Sequence, residues 1–191
     1  MLKKTMFLTL AFVMLAALMP AQRKSVMIDL GTLPGGNLSE AGAINDLGQV
    51  VGIANSVSGA HAFLWDDGVM TDLGTLPGDT FSEAMAVNNR GQVVGFSWLY
   101  GNYASPGHAF LWQNGVMTNL GTLGGMWTRA FSINNSGQVV GVSNSHAFFW
   151  QNGVMTDLGT LPGCTWSVAY DINDLGKVVG SCCGHLVRWD N

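Results

Sequence analysis

The stretch HAFLWDDGVMTDLGTL at residues 61–76 returns with little change as HAFLWQNGVMTNLGTL at 108–123 and HAFFWQNGVMTDLGTL at 146–161. A head-to-tail repetition of this kind specifies a repeated structural unit, in which each copy buries its apolar face against its neighbours because it cannot do so alone. The repetition therefore constrains the architecture closely. Chemistry has to be sought where the copies differ.

Gly-Thr-Leu begins at Gly31, Gly74, Gly121 and Gly159, which makes units of about 40 residues. Each unit opens on a turn-rich linker and a short segment ending Ile-Asn or Val-Asn. A turn closed by Gly48, Gly91, Gly137 or Gly176 then leads into Gln-Val-Val-Gly or Lys-Val-Val-Gly. His-Ala-Phe-Leu-Trp, a second turn (Asp66-Asp67-Gly68, Gln113-Asn114-Gly115, Gln151-Asn152-Gly153) and Val-Met-Thr-Asp-Leu complete the unit. Short β-branched runs joined by Gly-closed turns are hairpins, with the glycine taking the left-handed backbone position. Two hairpins per unit give four strands in each unit and no helical period.

Four strands repeated head to tail match a β-propeller blade. The fold expected is all-β: a small, four-bladed propeller with first, inner strands near 41–45, 84–88, 130–134 and 169–173. The last unit stops at Trp189-Asp190-Asn191, without its Val-Met-Thr-Asp-Leu strand, while Val26-Met27-Ile28-Asp29-Leu30 is an unpaired copy of that strand near the other end. The N-terminal strand is thus expected to complete the last blade, close the ring and remove its open edges. The alternatives are an open arc, or two chains that complete a larger ring by self-association.

Residues 1–21 stand apart. Lys3 and Lys4, the uncharged apolar run Met6 to Met19 and the small residue Ala21 have the layout of a secretory signal, too short for an ordinary membrane span. The mature domain is then 22–191, secreted or periplasmic. The chain has 8 basic against 12 acidic residues and no basic cluster. That balance speaks against nucleic acid, which requires grouped Lys and Arg, and against an anionic membrane surface once the signal is gone.

The His-Ala-Phe signature at 61, 108 and 146, with the Gly-Thr-Leu-Pro-Gly-Gly and Ile-Asn-x-x-Gly-Gln-Val-Val-Gly segments around it, resembles the HAF repeat family of probable extracellular bacterial proteins. The resemblance spans residues 26–191; in the fourth unit His185-Leu186-Val187 stands in place of the signature. It implies export and a repeated β architecture, and brings neither a reaction nor catalytic residues.

The histidines His61, His108, His146 and His185 share one repeat position, which a ring holds apart, so structural hydrogen bonds are expected of them and not a shared metal. The Asn-Asp-x-Gly turns lack the alternating carboxylates of a calcium loop. Linkers between units and the loops between second and third strands should emerge on one face. There Trp98, Tyr100 and Tyr103 of the longest loop are expected to join Trp127 and Trp166 of the linkers in a stacking surface for a carbohydrate or extracellular polymer, the alternative being aromatics folded down to cap the blade tops. Cys164, Cys182 and Cys183 fall on the same face in the last unit, and a bridge from Cys164 to one of the pair is expected.

No Gly-x-Ser-x-Gly elbow or His-Glu-x-x-His spacing is present. The expected function is non-catalytic binding or scaffolding without a cofactor. Asp171 is expected to be a solvated residue of the axial channel paired with Arg129; the alternative is a carbohydrate-active enzyme, a glycosidase or lyase, using Asp171 with Glu40 or Glu83 near the axis.

Overall fold

The computed structural model describes residues 25–99 and 107–190. They form four antiparallel sheets, and the described residues contain no helix. The first sheet runs β1 (Ser39–Ile44), β2 (Val50–Ser56), β3 (Gly59–Asp66), β4 (Val69–Gly74). The second runs β5 (Phe81–Val87), β6 (Val93–Trp98), β7 (Gly107–Gln113), β8 (Val116–Asn119). The third runs β9 (Thr128–Ile133), β10 (Val139–Ser143), β11 (His146–Gln151), β12 (Val154–Asp157). The fourth has three strands, β13 (Ser167–Ile172), β14 (Val178–Cys182) and β15 (His185–Trp189).

Strand pairs meet where the sequence places its turns. Between β3 and β4, Asp67 and Gly68 take φ of 44° and 88°, and Asn114-Gly115 and Asn152-Gly153 repeat the conformation. Asn-Gly and Asp-Gly accept two successive left-handed residues, and that twist suits a two-residue hairpin.

Each inner strand carries an extra residue between Ala41 and Ala43, Ala84 and Ala86, or Ala169 and Asp171, where register with the second strand shifts. A bulge of this kind bends the strand and lets two backbones approach. The glycine ending each Val-Val-Gly lies at this point: a Cβ on Gly52, Gly95, Gly141 or Gly180 would fall 1.9–2.0 Å from the carbonyl oxygen of Glu40, Glu83, Arg129 or Val168. Only glycine fits there.

Consecutive sheets pack face to face. Val51, Ala62 and Leu64 of the first meet Val93 and Phe110 of the second; Val94 and Ala109 meet Val139 and Phe148; Val140 and Ala147 meet Ala169 and Val178. In the second and third sheets both residues of the Val-Val pair, Val93-Val94 and Val139-Val140, are thus consumed, one toward each neighbour. This explains strands that are apolar on both sides.

The N-terminal segment does not do what its sequence suggests. Residues 25–30 form no strand, β15 is the edge of a three-stranded sheet, and Val26, Met27 and Ile28 are 78, 98 and 71% exposed. Leu30 and Leu33 instead pack on Val50, Ala54 and Phe63 of the first sheet. The physical reason lies in the repeat itself. Leu30 and Leu33 correspond to Leu73 and Leu76, which are buried between the first and second sheets. The pair therefore covers the sheet that follows it, as Leu73 and Leu76 do. Inner strands touch in series, β1 with β5, β5 with β9 and β9 with β13, and β13 has no comparable contact with β1.

Candidate functional site

The four turns after the inner strands lie together along one side of the series of sheets. Asn45, Asn88, Asn134 and Asn173 each accept two backbone N–H donors of their own turn at Oδ1. In the first three, Nδ2 donates onward to the carbonyl of the next sheet's asparagine, Asn88, Asn134 or Asn173, at 2.9 Å. A second rail runs beside it. The Asp46, Asn89 and Asn135 amides donate to the side-chain oxygens of Asn89, Asn135 and Asp174. Hydrogen bonds from the Asn135 side chain and backbone hold the Asp174 carboxyl below its ordinary range. These turns and the ends of the inner strands line a depression of about 380 Å³. The asparagines are visible in the sequence as turn residues, but the stacking that aligns Asn45 with Asn88 is not.

On the opposite side are the linkers and second-to-third-strand loops. Trp127 and Trp166, each 38% exposed, immediately precede β9 and β13 in equivalent positions, with Leu38 at the same place in the first unit. Trp127 adjoins Gly107, which is paired with Trp98 across β6 and β7, so Trp98 and Trp127 do share a neighbourhood. Trp98 is half-buried, stacked on Phe96 at 5.0 Å between ring centres and tilted against Phe81 at 5.7 Å. The Arg129 guanidinium also lies over the Phe96 ring, 4.5 Å from its centre. Trp98 therefore belongs to a packed aromatic group as well as to the surface. Tyr100 and Tyr103 lie outside the described residues.

Three histidines are held separately by carboxylates. His61 donates to Asp72 (2.9 Å), His146 to Asp157 (2.7 Å) and His108 to Asp79 (3.0 Å). His108 turns to the linker because Asn119 stands in β8 where β4 and β12 carry Asp72 and Asp157.

The carboxylates suggested for catalysis separate into two environments. Asp171 accepts from Ser132 Oγ at 2.7 Å and from its neighbour's amide. That corrects the expected pairing with Arg129, whose guanidinium is over Phe96. Glu83 is held above the ordinary carboxylate range, first by burial and then by the Glu40 carboxylate, with Arg129 opposing.

The three thiols of the last unit gather. Cys182 is buried and takes over a structural task from serine: its Sγ accepts the Leu161 N–H at 3.2 Å, as Ser97 Oγ accepts that of Leu76 and Ser143 Oγ that of Leu123. Cys164 and Cys183 are half-exposed, and all three sulfur atoms lie within 4.8 Å of one another. They are free thiols and not the bridge expected for Cys164. Hydrogen bonding to Cys183 pushes the Cys164 thiol up to about 12. The same contact, with the Thr165 and Trp166 backbone amides, lowers Cys183.

Comparison with protein-family models, curated proteins and solved structures returns no match for this chain.

Proposed function

We propose that the chain is a non-catalytic binding and scaffolding repeat protein, secreted or periplasmic, whose arc of sheets is completed to a propeller by a second copy. The observation that carries this reading is the complementarity of the two unfinished ends. At the last sheet, Tyr170, Val179 and Leu186 are 54, 41 and 89% exposed, the β15 edge lacks a fourth strand, and Asn173 Nδ2 has no carbonyl ahead of it. At the first sheet, Ile44 is 68% exposed, the Asn45 carbonyl accepts only from its own turn, and residues 26–29 of the strand-like segment are exposed. Each end offers what the other lacks, and a head-to-tail joint that closes removes both edges.

Light scattering during size-exclusion chromatography tests this. A dimer is expected, with Leu186→Glu reducing it to monomer; a wild-type chain that stays monomeric at high concentration excludes completion by a second copy. The resemblance to exported HAF repeat proteins and the apolar N-terminal run support the compartment.

The ligand class proposed for the loop face is an extended carbohydrate or other extracellular polymer. Exposed Trp127 and Trp166 recur at one register on adjacent sheets, which suits a ligand that itself repeats. Retained binding to a polysaccharide panel by Trp127→Ala and Trp166→Ala variants would remove that reading. A carbohydrate-active enzyme is the second reading, and the perturbed Glu83 beside Glu40 favours it. Turnover of a polysaccharide that Glu83→Gln abolishes would establish it in place of the first.

A further inference from the structure

We infer that Cys164, Cys182 and Cys183 form a binding site for one thiophilic metal ion, of the Zn(II) or Cu(I) class, on the loop face of the fourth sheet. Soft sulfur donors select these ions over Mg(II) or Ca(II), which take oxygen. The first argument is distance. An ion about 2.3 Å from each of three sulfurs in tetrahedral directions holds them about 3.8 Å apart. The three Sγ atoms already fall within 4.8 Å of one another, so side-chain rotations bring them onto one ion without moving the strands.

The second argument is that each of the three positions carries a hydrogen-bonding oxygen or nitrogen side chain in at least one sibling sheet. Cys182 occupies the place of Ser97 and Ser143, Cys183 that of Asn144, and Cys164 that of Asp79. Cys183 and Asn144 share the left-handed conformation, with φ of 47° and 49°. That conformation suits asparagine and is uncommon for other side chains. The last sheet alone replaces all three with thiols, and the fold sets them face to face from a linker and a hairpin turn.

The third argument is access. Binding displaces a thiol proton to solvent for each sulfur that ligates, and affinity rises with pH accordingly. Cys164 and Cys183 are partly exposed, which leaves a side open for water or a donor from a partner to complete the shell.

The sibling sheets supply the controls. Cys182→Ser, Cys183→Asn and Cys164→Asp each install the residue found at the equivalent place in another sheet, so the fold is retained, as circular dichroism checks. The full chain, reduced with a phosphine and kept anaerobic, is titrated with Co(II) and then with Zn(II) or Cu(I). The expected result is a sulfur-to-cobalt charge-transfer band saturating at one ion per chain and displaced by Zn(II) or Cu(I). Each variant should bind at least tenfold more weakly. Absence of the band, variants that bind as the wild type does, or closure of a Cys164–Cys183 disulfide on exposure to air despite one equivalent of Zn(II) would each overturn the site.

Discussion

Asn88→Ala cuts the ladder of turns at its most enclosed rung. Asn88 is 4% exposed, and its Oδ1 accepts from Arg90 N and Gln92 N, while Nδ2 donates to Gln92 Oε1 and Asn134 O. Alanine strips two backbone donors of their acceptor. Stranding a buried donor costs about 1–3 kcal/mol, and the Gln92 amide is buried while that of Arg90 is partly so. The Asn134 carbonyl suffers less, because it still accepts from Gly137 N. The sum is a loss of about 3 kcal/mol.

Asn173→Ala removes the same turn acceptor at the end of the series, where Leu175 N and Lys177 N are exposed and water can replace it. Its expected cost is under about 1 kcal/mol. Asn88→Asp keeps both backbone bonds but turns an oxygen toward the Asn134 carbonyl, so it should be destabilising at neutral pH and recover as acid protonates the new carboxyl. Urea unfolding at constant slope measures all three. Equal losses in Asn88→Ala and Asn173→Ala would refute the claim that enclosure of the turn between stacked sheets, and not the turn's own hydrogen bonds alone, sets the energy.

Gly95→Ala places a Cβ 1.9 Å from the Glu83 carbonyl oxygen, a backbone atom that cannot rotate away, and should cost about 3 kcal/mol in urea unfolding. His108→Ala leaves the nearly buried Asp79 carboxylate without its partner and should cost about 2–3 kcal/mol, against under about 1 kcal/mol for the exposed His146–Asp157 pair. Glu83 makes a pH test: its folded carboxyl titrates above the unfolded value, so the folded state binds the extra proton, and stability falls as pH rises from about 4.5 through the raised folded value. Glu83→Gln should therefore be more stable than wild type at pH 7 and show no gain at pH 4, read by thermal unfolding at both.

Much of this molecule is legible in the sequence because its information is local and repeated. Gly-closed turns between β-branched runs place the hairpins, and the observed inner strands overlap the expected ones in all four units. The gathering of the cysteines on one face follows from the strand order alone. The asparagine ladder is invisible in the chain, since Nδ2 finds its acceptor only after one sheet is laid on another. Trp98 shows the same limit from the other side. Its loop position marks it as surface, yet its neighbours two and seventeen residues before it, Phe96 and Phe81, supply stacking partners that half-bury it.

The N-terminal segment is where local likeness and global placement part. Val26 to Leu30 repeats the fourth-strand sequence, but a fourth strand forms only against a third strand already in place, and the segment's own unit begins after it. What remains is the linker half of the motif: Leu33, 1% exposed, seals Val50 and Phe63. Leu33→Ala should thus cost about 3 kcal/mol in any state of assembly, because it opens a cavity inside one chain. Ile28→Ser separates the two halves of the motif. In a lone chain its exposed side chain touches nothing that matters, and stability should not change. In a two-chain ring the segment adds to β15 of the partner, and the same substitution should weaken the dimer at least tenfold. If Ile28→Ser leaves both monomer stability and dimer affinity unchanged, the segment is no strand in either state, and the sheets must meet through their faces alone.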